Sequence, residues 1–180
     1  LKKSPVRNNS IYSALLDDSF KHFDLYTGVL STSFSPVEFL LWEEYTASHT
    51  GFCVGFNTEI VAQCIGGAAY VNYVKKLPII YPTPIHNFMD QQHLRVYFKL
   101  DQWGYEKEFR FHKTFENPAT NHDRAIVLPT EAYLSIILGK NMSNKDKTTI
   151  LTIAQLNFPH IKLYQQKINS HNEVSIETLS

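Results

Sequence analysis

Cysteine is scarce. Cys53 and Cys64 are the only two in 180 residues, and both sit inside apolar runs, so they predict buried thiols of a reducing compartment and exclude a disulfide framework. Glycine is also sparse at seven, and no phosphate-loop or dinucleotide-binding spacing occurs, since Gly66-Gly67 stands alone. An excess of either charge is absent. Lys and Arg number 17 against 17 Asp and Glu, which argues against a protein whose main task is coating a phosphate backbone. No hydrophobic run is long enough to span a bilayer. The longest charge-free stretch, Ile60 to Val74, has 15 residues and contains Gln63 and Asn72, against about 20 apolar residues needed. Leu1 to Ser10 is polar and basic without an apolar centre, so it is not a secretion signal; a cytoplasmic protein without membrane attachment is expected. The eight histidines are scattered with no zinc spacing, so no metal is expected, and there is no G-x-S-x-G elbow.

What is present is globular: 43% hydrophobic and 19% charged residues, enough to exclude a disordered chain and to fill one domain. Asn8 or Asn9 begins a helical pattern running to about Phe23, and Leu25 to Phe34 alternates as a strand loosened by Gly28. Ser35-Pro36, with Glu38 three residues after the serine, predicts a capped helix reaching about Ser48. Strands are predicted at 52–56 and 68–74, and a short helix at 58–65. Lys76 to Pro84 carries three prolines and reads as a loop. A helix at 90–100, a strand at 105–112, a polar loop at 116–123 and strands at 124–128 and 133–138 follow. Ser143 caps a helix to about Asn157, before a last strand at 161–164. This irregular order predicts an α+β fold with a mixed, mostly antiparallel sheet and flanking helices.

Three constellations could carry chemistry. In Ser31-Thr32-Ser33-Phe34-Ser35, residues two apart share a strand face, so Ser31 and Ser33 form a hydroxyl row that could hold a carboxylate or a ligand hydroxyl; a solvent-facing edge is the alternative. In the following helix, Glu38, Trp42, Tyr45 and His49 fall at spacings of four, three and four, on one stripe that reads as a stacking wall or as an aromatic packing face. In Trp103 to His112, a strand would put Glu106, Glu108, Arg110 and His112 on one face and Tyr105, Phe109 and Phe111 on the other. Two carboxylates about 7 Å apart can raise each other's pKa, while Arg110 lowers both. Such a face supplies a general base or a ribose clamp, or else is a solvated row of ion pairs.

Some of these blocks resemble a known family. Leu40-Leu41-Trp42, Tyr45, His49 and Gly51-Phe52 resemble the L-W-x-x-Y-x-x-x-H-x-G-F signature of a bacterial family known as domain of unknown function 2971. Val71-Asn-Tyr73, Trp103-Gly-Tyr105-Glu106-Lys-Glu108-Phe-Arg110, Ile136 to Gly139 and Ile161 to Tyr164 continue the likeness in order. The resemblance implies that Trp42, Tyr45, His49, Gly51, Glu106, Glu108 and Arg110 belong to one pocket. A second resemblance, of Ser31-Thr32-Ser33 and Glu106-x-Glu108 to the Ser-Thr-Ser and Glu-x-Glu elements of ADP-ribosyltransferases, implies a reaction. Glu108 and Glu106 would be the catalytic pair, Glu108 stabilising the ribosyl cation and Glu106 serving the acceptor side, with Ser31 and Ser33 in support. NAD would be co-substrate and a protein or nucleic acid the acceptor, in bacterial or phage conflict. A non-catalytic nucleotide or nucleic-acid binding module, with Trp42, Tyr45, His49 and Arg110 reading the ligand, is the alternative. The first family normally has an N-terminal Tyr- and Thr-bearing block and an Asn-Asp-Pro motif, and the transferases an earlier Arg or His that grips NAD. Neither is visible before Leu30. The expectation is therefore one domain lacking an N-terminal segment, with a core over about 26–165 and a polar tail over 166–180.

Overall fold

The computed structural model describes residues 21–81 and 83–179, and within them the chain is α+β. The helices are α1 (Phe39–Tyr45), α2 (Thr58–Ile65), α3 (Phe88–Val96), α4 (Asn121–Arg124) and α5 (Asn144–Asn157). The strands are β1 (Thr27–Ser33), β2 (Phe52–Phe56), β3 (Gly67–Tyr70), β4 (Asn72–Val74), β5 (Phe98–Leu100), β6 (Glu108–Thr114), β7 (Tyr133–Leu138), β8 (Lys162–Ile168) and β9 (Val174–Thr178). Residues 21–26 are helical; the predicted helix before them lies outside the described residues.

Strand β6 organises the first sheet, flanked by β1 and β3, both antiparallel to it. Its alternation separates two faces. Phe109 and Phe111 point to the hydrocarbon side, where Phe111 packs with Val61 of α2 and Ala132, surrounded by Leu30, Phe56 and Tyr133. Burying a side chain such as Phe111 stabilises the fold by roughly 1.5–3 kcal/mol. Helix α2 is started by Asn57, whose side chain accepts from the N–H groups of Glu59 and Ile60 at 3.1 and 3.2 Å. The second sheet runs β2-β7-β8-β9, in which β7 and β8 are parallel and α5 makes the crossover such a pair requires. Strands β4 and β5 form a third, parallel pair joined through α3. The remaining pairings are antiparallel, so the sheets are mixed and mostly antiparallel.

Several elements depart from the sequence expectation, each through a tertiary contact. The strand predicted over 68–74 splits at Val71, whose N–H donates to Glu108 O at 3.1 Å; the next N–H, of Asn72, leaves for Tyr97 O at 2.7 Å. That same carbonyl also accepts from the Asn72 side chain, so the helix predicted over 90–100 stops at Val96 and Phe98–Leu100 becomes β5. Residues 125–129 are not a strand; Arg124 is drawn instead to the carbonyls of Thr27 and Leu25. Ser35 does not cap α1. Its N–H donates to Ser33 Oγ at 3.0 Å, and the helix begins at Phe39 after Glu38. The expected polar tail contains the end of β8 and all of β9, with Gln166 fully buried.

Candidate active site

The polar face of β6 is where charge collects. Glu108 opens the strand, and Glu106 ends the 3-10 turn Asp101–Glu106 that precedes it. Glu106 is therefore not on the strand, as its spacing had predicted. Lys107 between them adopts a left-handed backbone, φ 46°, and this turn brings both carboxyl groups to one cation. That cation is Lys99 of β5. Its ammonium donates to Glu108 Oε1 at 2.8 Å and to Glu106 Oε2, and stands 5.0 Å from the centre of the Trp103 ring. Arg110, two residues along the strand, grips Glu108 with two donors, Nε to Oε2 at 2.7 Å and Nη2 to Oε1 at 3.1 Å. Its remaining arm is fixed by Val96 O at 2.6 Å. Tyr45 donates to Glu106 Oε1 at 3.3 Å, and Tyr73, beside Lys99 in the β4-β5 register, accepts from the Glu108 N–H at 2.9 Å.

The two carboxyl groups titrate in opposite directions. Burial alone would raise Glu108, but hydrogen bonds from Arg110, Glu106 and Lys99 more than reverse it and hold the group at about 2. Burial, then the hydrogen bond with Glu108, raises the Glu106 carboxyl above its ordinary value, and Lys99 offsets only part of this. Tyr45 is raised as well, by burial and by the Glu106 charge. Lys99 stays protonated: burial works against its charge, and the hydrogen bonds to both carboxylates outweigh it. Further along the same face, His112 accepts or donates a 2.7 Å bond with Tyr97 OH, and burial lowers its pKa.

Both serines reach this face. The β1-β6 register sets Ser31 opposite Arg110 and Ser33 opposite Glu108, and directly opposed residues of an antiparallel pair project to the same side. They are exposed, and among the described residues neither hydroxyl bonds to the Glu108 carboxylate; Ser33 Oγ accepts from the Ser35 N–H. The result is a buried charge cluster with an open hydroxyl row at its edge. Glu106 and Glu108 are both well buried, so the face is not a solvated row of surface ion pairs.

The aromatic stripe does not survive as one surface. Helix α1 ends at Tyr45, and Ala47, Ser48 and His49 follow with φ of 48°, 56° and 64°. This left-handed turn folds His49 back over Trp42, their rings 6.3 Å apart and near parallel. Both are buried and tied away from the charge cluster. Trp42 Nε1 donates to Pro36 O at 2.7 Å, and His49 links Gln166 Oε1 at 3.1 Å to Glu43 Oε2 at 3.3 Å. Thus His49 joins the second sheet through Gln166 with Trp42 stacked on it, while Tyr45 alone of the stripe joins Glu106. A single pocket holding Trp42, Tyr45, His49, Glu106, Glu108 and Arg110 is not formed.

Lys99 and Tyr73 are the site residues that sequence reasoning missed. A signal existed, because Lys99 interrupts the apolar alternation Tyr97-Phe98-Lys99-Leu100, but its partners lie on other elements. Among the described residues no group of three His, Cys, Asp or Glu side chains comes together as a metal site, and no helix is long and apolar enough to cross a membrane. Compared with protein-family models, with curated proteins and with solved structures, the chain finds no match.

Proposed function

We propose that this domain is an ADP-ribosyltransferase-like enzyme that uses NAD, with Glu108 and Glu106 as its paired carboxylates. The observation that carries the reading is the β1-β6 register, which sets Ser31 and Ser33 beside Arg110 and Glu108 at the edge of a carboxyl pair whose pKa values are pushed in opposite directions. In such a reaction the glycosidic C–N bond breaks and nicotinamide leaves with the bonding electrons. The acceptor then adds to the anomeric carbon and gives up its proton. Both Glu108 oxygens are occupied by Arg110 and Lys99, so its part is electrostatic support of the ribosyl cation rather than nucleophilic attack. Glu106, with its raised pKa, is the base for the acceptor proton. Tyr45, 68% exposed, connects that buried carboxyl to the surface from which an acceptor would approach.

The test is release of nicotinamide from NAD by the full chain. Release should fall at least about a hundredfold in Glu108→Gln, the range of a lost electrostatic stabiliser of the transition state. No release from the full chain, or undiminished release from a Glu108→Gln variant with unchanged circular dichroism, sinks the proposal. A binding module without chemistry is the second reading, favoured by the occupation of both Glu108 oxygens; saturable ADP-ribose binding without nicotinamide release identifies it.

A further inference from the structure

A cleft of about 350 Å³ opens on the face of the first sheet opposite the carboxylates, where β1 and β6 meet the segment after β6. Leu30, Ile65, Ile126 and Leu128 line it with hydrocarbon, and Lys113 and Arg124 bring two cations to it. Its size falls within the roughly 300–1,000 Å³ of small-molecule clefts. Gly28 lines the cleft without a side chain and stands directly opposite Lys113 in the register. A Cβ there would come within 3.4 Å of the Phe115 ring and 3.7 Å of Arg124 Nη1.

The two cations are unusual in their partners. Among the described residues neither has a carboxylate, and both lie against one ring: Lys113 Nζ is 5.7 Å and Arg124 Cζ 5.6 Å from the centre of Phe115. Arg124 donates to the backbone carbonyls of Thr27 at 2.9 Å and Leu25 at 3.4 Å, and to that of Asp24. Those bonds orient the guanidinium and leave its charge uncancelled. A half-buried positive pair beside hydrocarbon walls calls for an anion with an apolar body.

We infer that this cleft binds a medium-chain organic carboxylate, its head between Lys113 and Arg124 and its chain along Leu30, Ile126 and Leu128. Inorganic phosphate is disfavoured, because four hydrocarbon side chains cannot replace its hydration. The site is separate from the carboxylate pair and does not rest on the reaction proposed for it.

Calorimetric titration of the full chain with sodium octanoate, with octan-1-ol and with inorganic phosphate tests the inference. Octanoate should bind at one saturable site at least about tenfold more tightly than either control, the value of one charge-assisted contact. Lys113→Met should weaken octanoate about tenfold and leave octanol unchanged, and Gly28→Val should fill the cleft and abolish both. Circular dichroism separates filling from unfolding in Gly28→Val, and Lys113→Met carries the test by itself if the valine variant does not fold. Octanoate binding no tighter than octanol, or unmoved by Lys113→Met, overturns the inference.

Discussion

Glu106 and Glu108 are two residues apart, yet their surroundings push their pKa values in opposite directions. Glu108 is held at about 2 against an ordinary 4.5, chiefly by the two-donor grip of Arg110 working against burial. A carboxyl lowered in the fold contributes stability that is fully present above the unfolded value and is lost as pH falls through the folded one. Between pH 4.5 and about 2 the protein should therefore lose about 3 kcal/mol through Glu108. Glu106 has the opposite sign: its contribution is present below 4.5 and fades as pH rises through its raised value. Urea unfolding between pH 2 and 7 reads both. Glu108→Gln should flatten the rise above pH 2, and Glu106→Gln should remove the fall that begins above 4.5; an unchanged acid limb in Glu108→Gln would contradict the assignment. At this scale the sequence was half legible. Two carboxylates and an arginine at alternate positions marked the face, but Lys99, which brings the carboxylates together, arrives from another element.

Among the elements, the turn after α1 shows how a side chain is moved off a helix stripe. Three left-handed residues are tolerated because neighbouring backbone groups bind them: Ser48 N–H donates to Glu43 O at 3.1 Å, and Asn141 N–H to His49 O at 2.9 Å. The second of these bonds comes from the segment after β7, so helical spacing in the sequence could not reveal it. Gly139 is where that segment passes closest. Its N–H donates to Gly51 O at 2.9 Å, and a Cβ there would overlap the carbonyls of His49 and Gly51, which are backbone and cannot swing away. Gly139→Ala should cost about 3 kcal/mol in urea unfolding, the upper range for overpacking. Gly104→Ala provides the contrast, since its Cβ would meet only Tyr73 at 4.0 Å, and it should shift stability by less than about 0.5 kcal/mol. Equal losses in the two variants would refute the close approach. Helices α2 and α5 and strands β2 and β7 were readable beforehand, because each has local signals: the Asn57 or Ser143 cap, or a short apolar run. Strands β5 and β9 were not, and β4 was read as one strand with β3. They are three to five residues long and owe their state to a partner strand.

Across the molecule, the apolar cluster around Phe111 joins the first sheet to Phe56 and Tyr133 of the second, and a buried amide ties the second sheet to a turn. Gln166 is fully buried on β8, and its Oε1 accepts from Lys140 N–H at 3.0 Å and meets His49 Nδ1 at 3.1 Å, tying the second sheet to the turn after α1. Gln166→Leu keeps the volume and leaves both groups unpaired, at about 2 kcal/mol. The melting temperature should fall by about 4–8 °C for a chain of this size, and no change would mean that the amide is not the link. The sequence by itself determined the α+β class, the amphipathic β6 with its phenylalanine and charged faces, and the balanced charge and sparse glycine that argue against phosphate-coating and dinucleotide-loop chemistry. These follow from composition and from periods of two and 3.6, which are local. Only the tertiary structure decided that Tyr45 belongs with Glu106 while Trp42 and His49 do not, that Lys99 bridges the carboxylates, and that Lys113 and Arg124 meet at one cleft. Each of those depends on groups dozens of residues apart meeting where water is excluded, and the strength of a charge or hydrogen bond is set there by its neighbours in space.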